Sequence, residues 1–323
     1  MRLIDLKPGD SFSGYYVLDK AAIKTNVRGE PFLAAEISDK SKMVPVKFWN
    51  YIDPIVDGKD NGTIVFVVGN ASEYNGTMQA VLSMIRKTTS ADVYDKDELV
   101  PVAPIDLKRA YQDVVKYVQS IKDQDYRNVA SAMLQDHKEM FCSIPAAKSV
   151  HHAFVGGLLM HTYCMLRLAN GMAELYKGVI NRDLLLTGVL LHDFAKGKEF
   201  EISGLGLVSS YSMEGELLGH LVMGAQEVAK VCERYNVPNE KAVLLQHLIL
   251  SHHGEPDFGA AVVPKVAEAE LLHNIDMIDA RMELYREELE GMEEGEMSER
   301  AIFALGNRRI FKPSGPLTPF GGI

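Results

Sequence analysis

The chain changes its hydrophobic period once, near residue 104. Before that point apolar residues alternate or run in short blocks; after it they recur at helical spacing. The first regime gives strands near Ser11–Leu18, Phe32–Ile37, Met43–Trp49, Thr63–Val68 and Met78–Ile85. The breaks carry turn chemistry: Arg28-Gly29-Glu30-Pro31, Asp39-Lys40-Ser41-Lys42, Asn61-Gly62 and Asn75-Gly76. Five short strands in about 80 residues fit a small closed barrel, and the OB-fold is the expected form. In the third strand Val44, Val46 and Phe48 share one face, while Lys47 and Trp49 share the other. If the aliphatic face is buried, Lys47 and Trp49 point outward, a cation beside a base-sized ring, which suits single-stranded nucleic acid.

Residues 89–104, with Pro101 and Pro104, read as a linker. Helical patterns then cover the stretches from Asp106, about 126–138, 147–176, 181–196, 213–235, 239–251 and 265–290, with no strand pattern among them. The expected organisation is a barrel over 1–88, the linker 89–104, a helical domain over 105–290 and a terminal segment over 291–323. The acid-rich end of the last helix, from Glu283 to Glu299, reads as a solvated face, and Asn307–Ile323 as a poorly packed tail rich in Pro and Gly.

Net charge is −10, which argues against coating nucleic acid by bulk electrostatics but leaves room for a local groove. Residues 1–90 carry 11 Lys and Arg against 10 Asp and Glu, and the rest of the chain carries 23 against 34, so the acidity lies outside the barrel. Three cysteines without paired spacing suit a reducing cytoplasm. No signal peptide and no apolar run of about 18 residues is present, so a cytoplasmic protein without a membrane partner is expected.

All 10 histidines fall between His137 and His273. His192 and Asp193 stand side by side at the end of an apolar run, with Asn181 as N-cap, Gly197 as the expected stop and Lys196 one turn on. Imidazole, carboxylate and ammonium together on an apolar helix need pairing, and a divalent metal with a phosphate would pair all three. His161, His220 (between Gly219 and Gly224, small residues that allow close helix approach), His252-His253-Gly254 and Asp276 repeat the theme, with Asp279 a rival to Asp276 on nearly the same face. Such a set is hard to satisfy pairwise without a shared ion. Mixed imidazole and carboxylate donors suit Mn, Fe, Zn, Ni or Co, as one or two divalent ions. Asp193 could bridge two ions across a phosphoryl transfer, and Lys196 could neutralise a phosphate oxygen.

His161, His192-Asp193 and Asp276 resemble the ligand signature of the HD superfamily of metal-dependent phosphohydrolases. The stretch Ile144-Pro145-Ala146-Ala147 with Val150-His151-His152-Ala153-Phe154-Val155-Gly156-Gly157, and the barrel's Asp39-Lys40 and Lys47-Phe48-Trp49, resemble the YhaM-type 3′–5′ exoribonucleases. That resemblance implies an all-β OB-fold barrel followed by an all-α HD-type domain. It also implies one ion on His161, His192, Asp193 and Asp276, and a second on Asp193, His220, His252 and His253. The chain departs from the family's usual residues at Ser41-Lys42 and at Met160. His151, His152 and His273 stay open between substrate contact, support of a ligand and a core role.

The expected function is a metal-dependent phosphodiesterase that shortens single-stranded RNA, or DNA, from the 3′ end using metal-activated water, with Asp193 and Lys196 at the chemistry. Self-association is left open. An HD phosphohydrolase of nucleotides or cyclic dinucleotides ranks second, because Pro256-Asp-Phe-Gly259 stands where a Gly-Tyr-Pro feature would be needed. A non-enzymatic strand-binding protein with a structural metal ranks third.

Overall fold

The computed structural model of the chain describes residues 1–52, 54–74, 77–148 and 152–315. The expected Asn75-Gly76 turn, His151 and the tail beyond residue 315 lie outside the described residues. The chain forms two compact units, Met1–Val102 with Ile202–Ser209, and Ala103–Glu201 with Ser210–Ile323.

The first unit holds a closed barrel of β1 (Ser11–Thr25), β2 (Pro31–Ser38), β3 (Met43–Trp49), β4 (Thr63–Tyr74) and β5 (Thr77–Lys87), in the order β1-β2-β3-β5-β4. This is the OB-fold arrangement. Closure depends on β1, whose first half pairs with β4 (Ser11 opposite Asn70) and whose second half pairs with β2 (Ile23 opposite Leu33). A bulge between Asp19 and Ala22 supplies the bend, with Lys20 at φ 49°. Leu18, Leu33, Ile37, Val44, Val65 and Val67 fill the interior, each fully buried or nearly so. The Asp39 turn forms as expected: one carboxylate oxygen accepts from Ser41 N and Lys42 N, and the other accepts from Leu3 N at 2.7 Å.

The second unit is helical: α1 (Leu107–Gln119), α2 (Gln124–Asp136), α3 (Lys138–Ser143), α4 (Gly157–Leu175), α5 (Arg182–Leu191), α6 (Lys196–Glu199), α7 (Met213–Arg234), α8 (Asn239–Ser251) and α9 (Ala267–Glu290). Side-chain N-caps start several of them: Asp106, Asp123, Asn181 and Ser212 each accept from a backbone N–H in the first turn. Helix α5 is the axis of this unit. Every residue from Leu184 to Leu191 is buried, and a Cβ at Gly188 would lie 2.2 Å from Leu248 Cδ2, so glycine there lets α8 close in.

Several expectations need correction. The helix from residue 181 does not run to 196. The His192 ring takes the Val189 carbonyl at 2.8 Å, the acceptor that the next helical turn would need, and α5 ends at Leu191. Gly197 is therefore no stop; it lies inside α6, where a Cβ would meet Met140 Cγ at 2.5 Å. Strands do occur after Pro104: β6 (Phe200–Ile202) and β7 (Val208–Tyr211) form a hairpin too short to leave a period, turned at Gly206 with φ 81°. The helix expected from 147 begins only at Gly157, because Gly156 takes φ 77°. Finally, the segment after α9 is largely exposed but anchored at points as far as residue 312. Leu305 and Ile310 are buried, and Lys312 Nζ donates to the Leu289 and Met292 carbonyls, capping the end of α9. Glu283 in the acidic stretch is likewise buried, and it accepts from Arg286 Nε at 2.8 Å.

Candidate metal centre

Four imidazoles are anchored through Nδ1 in one region of the second unit. His192 Nδ1 donates to Val189 O and His252 Nδ1 to Ile249 O, both at 2.8 Å, so each ring caps the helix it terminates. His161 Nδ1 donates to Asp279 Oδ2 at 2.7 Å, and His220 Nδ1 to Glu199 Oε1 at 2.9 Å. A carbonyl or carboxylate oxygen only accepts, so a ring proton sits on Nδ1 in all four and Nε2 is the nitrogen turned inward.

The inward atoms converge on Asp193. His192 Nε2 lies 3.2 Å from Asp193 Oδ2, and His161 Nε2 lies 3.3 Å from both His192 Nε2 and Asp276 Oδ1. On the other side His220 Nε2 and His252 Nε2 lie 3.5 and 3.7 Å from Asp193 Oδ1. Three sets of donor atoms lie within 4.8 Å of one another around this carboxylate: His161 with His192 and Asp193, His192 with His252 and Asp276, and His220 with His252 and His253. His161, His192, Asp193 and His252 are each no more than 2% exposed. Every residue expected at the metal positions is thus gathered in one place.

The cluster carries the signature of a missing positive charge. Asp193 Oδ1, His220 Nε2 and His253 Nδ1 are buried and have no hydrogen-bond partner among the described residues. Orphaned buried polar atoms cost roughly 1–3 kcal/mol each, and Asp193 Oδ1 with His220 Nε2, 3.5 Å apart, fit a shared cation. Burial works against an imidazolium at His161, yet Asp276 and Asp279 outweigh it and lift that ring to about 10. Burial also opposes charge on Asp193 and Asp276, and the surrounding imidazoles, with Lys196 beside Asp193, hold both well below the usual carboxylate range. Burial alone pushes Lys196 toward neutrality; Asp193, 2.7 Å away, keeps it charged.

Sequence reasoning did not single out Glu199. It reaches His220 because α7 breaks one residue earlier, where Gly219 takes φ 70° and ψ 160°. The break releases the His220 N–H from the helix ladder, and Glu199 Oε1 accepts it at 3.0 Å together with the ring N–H. Gly219 is a kink, not the small residue for helix approach that its sequence context suggests. Gly224 does face a neighbour, with its Cβ position 3.2 Å from Ile249 Cγ2. Asp279 lies behind His161 and also accepts from His152 Nε2 at 2.9 Å, while Asp276 faces inward. His273 donates Nδ1–H to the His252 carbonyl at 2.9 Å. Met160 is buried against Phe154 and Ala103, so its departure from the family's usual residue is absorbed in packing. A cavity of about 390 Å³ opens from the cluster past Lys196, Glu199, His253, His273 and Asp276.

Lys47 and Trp49 lie elsewhere, on the barrel. Trp49 is 40% exposed, stacks on Phe32 at 4.7 Å between ring centroids, and has Lys47 Nζ 5.6 Å from its ring. Phe32 is its cross-strand neighbour in β2.

An OB barrel with a helical unit built around a His-Asp cluster defines a metal-dependent hydrolase of the HD class, and the HD domain family model matches residues 158–281. The 3′–5′ exoribonuclease YhaM of Listeria monocytogenes serovar 1/2a is 34% identical over 97% of this chain and 98% of its own length. That of Bacillus subtilis strain 168 is 36% identical over 95% of this chain and 96% of its own. The chain belongs to the YhaM family of 3′–5′ exoribonucleases. Among solved structures, the second OB-fold domain of replication protein A from Methanococcus maripaludis is similar to 29% of this chain and 98% of that one, at 15% identity and TM-score 0.23. Among the described residues no helix is long and apolar enough to cross a membrane.

Proposed function

We propose that this chain is a cytoplasmic, metal-dependent exonuclease that removes nucleotides from the 3′ end of single-stranded RNA. The observation that carries the reading is the position of Asp193, whose two carboxylate oxygens each face a separate group of inward-turned imidazole nitrogens. His161, His192, Asp193 and Asp276 form one ligand set, and Asp193, His220, His252 and His253 form the other. The donor chemistry fits Mn, Fe, Zn, Ni or Co rather than Ca. Bound divalent cations supply the Lewis acidity that makes water a nucleophile near neutral pH and steadies the oxygens of an in-line displacement.

The remaining work belongs to this chain's own side chains. Asp279 and Glu199 fix the orientation of His161 and His220, so the ligand set is organised before substrate arrives. Lys196 Nζ, partly buried beside Asp193, offers charge to a non-bridging phosphate oxygen as negative charge builds there. The barrel's Trp49 and Lys47 hold the strand by stacking and charge, without reading sequence.

The test is Asp193→Ala, assayed with end-labelled single strands and a panel of divalent metals. It loses both metal and 3′ shortening, and it keeps strand affinity. Retained turnover at full metal occupancy overturns the reading.

A further inference from the structure

The buried cluster can grip a phosphodiester, but it contains nothing that suits a nucleobase. The cavity's other walls do. Tyr211 and Phe258 line the same 390 Å³ space, and Lys148 lines it as well. Phe258 is 67% exposed and Tyr211 39% exposed, so neither ring is placed by the core.

The backbone that carries Phe258 and the ring of Tyr211 are nonetheless held in place. Phe258 ends a tight turn, Pro256–Phe258, that directly follows the paired histidines. Phe258 N donates to Glu255 O and Gly259 N to Pro256 O, each at 2.9 Å. Gly259 takes φ 95°, and its Cβ position lies 3.5 Å from His253 Nδ1, so the turn lies beside His253. Tyr211 sits at the end of β7 with its ring edge-on to Phe200 at 5.5 Å and Lys148 Nζ 5.5 Å above it. The next residue, Ser212, donates its N–H to the Glu199 carbonyl at 2.8 Å, and Glu199 is the residue that holds His220. Two rings lining one cavity, each tied within a few residues to a different imidazole of the cluster, leave apolar ring area exposed there. A flat π-surface in the cavity would cover it.

We propose that Phe258 and Tyr211 are the stacking surfaces for the base of the 3′-terminal nucleotide, with Lys148 holding a neighbouring phosphate. The inference rests on the exonuclease reading above and adds a specificity to it: the enzyme selects ends that carry a base. Stacking on an aromatic ring is indifferent to which base is present, so selectivity among the four bases is small.

The experiment compares kcat/KM on two otherwise identical RNA strands, one ending in an ordinary nucleotide and one ending in an abasic residue, in preparations matched for metal content. Wild type prefers the base-bearing end by about tenfold or more. Phe258→Leu and Tyr211→Leu keep apolar volume and remove the ring face, and each cuts that preference about fivefold, mainly through KM. Phe258→Trp retains the preference, which separates stacking from a structural role. A wild type without preference, or Leu variants that keep it in full, overturns the proposal. A wild type that shortens neither strand with any divalent metal overturns the exonuclease reading itself, and this proposal with it.

Discussion

Asp279 Oδ2 stands 2.7 Å from His161 Nδ1, on the face of the ring opposite to Asp276, whose Oδ1 is 3.3 Å from Nε2. Two aspartates one helical turn apart on α9 thus address the two nitrogens of one imidazole. Asp279 is held down to about 2, against the effect of its burial, by its bonds to His152 and His161. As an ionised acceptor it keeps the ring proton on Nδ1 and makes Nε2 the more basic donor. Asp276→Ala removes a ligand, whereas Asp279→Asn leaves the ligands in place and weakens metal affinity about 10- to 100-fold. A titration of activity against Mn separates the two: excess metal restores Asp279→Asn and does not restore Asp276→Ala. Equal behaviour of the two variants would refute the division of roles.

Glu199 and His220 make a second such pair, and its prediction concerns stoichiometry. Glu199→Ala strips the acceptor from both the backbone and the ring N–H of His220. The half of the cluster built on His220, His252 and His253 then loses metal affinity by about 10- to 100-fold, while the half around His161 holds its ion. On the proposed two-ion arrangement, metal analysis at limiting concentration falls from two ions per chain to one. Loss of both ions together would mean that the halves are not separable.

Much of this centre was legible in the chain. His192-Asp193 at the end of an apolar run, and repeated imidazoles in helical segments, mark the candidate ligands. The reason is physical: each is a polar group that an apolar helix cannot satisfy, so its presence needs an external partner. What stayed hidden are residues that act through another residue. Glu199 is an ordinary acid beside a short strand, and only the positive φ of Gly219 gives it a freed N–H to bind. Asp276 and Asp279 share nearly one helical face, so periodicity could not rank them; the ring between them does. The barrel was readable from strand count and turns, whereas the β6–β7 hairpin was not, since its strands span 3 and 4 residues and leave no period to read.

On the barrel, Trp49 owes its exposure to register. Val44 and Val46 face inward on β3, so alternation puts Lys47 and Trp49 outside, and Phe32 across the strand pair supports the ring. Trp49→Ala lowers affinity for a single-stranded oligonucleotide about 5- to 100-fold and leaves metal stoichiometry unchanged. Phe32→Ala has a smaller effect of the same sign, because it loosens the support and leaves the outer ring face. Fluorescence anisotropy in chelator reads both. Unaltered affinity in Trp49→Ala would exclude this face as the strand-holding surface.

The acid limb of stability turns on Glu227 in α7. Its Oε1 accepts from His137 Nε2 at 2.8 Å and from Lys198 Nζ at 3.0 Å, which joins α7 to the α2–α3 junction and to α6. Burial raises its pKa, but those two donors prevail and hold it at about 2 against an ordinary 4.5. Folding therefore favours the ionised form. The contribution is complete above about pH 4.5, shrinks as pH falls through that window, and is gone below about 2. The full depression corresponds to at most about 3 kcal/mol. Glu227→Gln removes the linkage, so the stability difference between wild type and variant is largest near pH 6 and vanishes toward pH 2. Denaturant unfolding across that range measures it, and a difference that does not change with pH would show that the carboxylate is held for its shape and not for its charge.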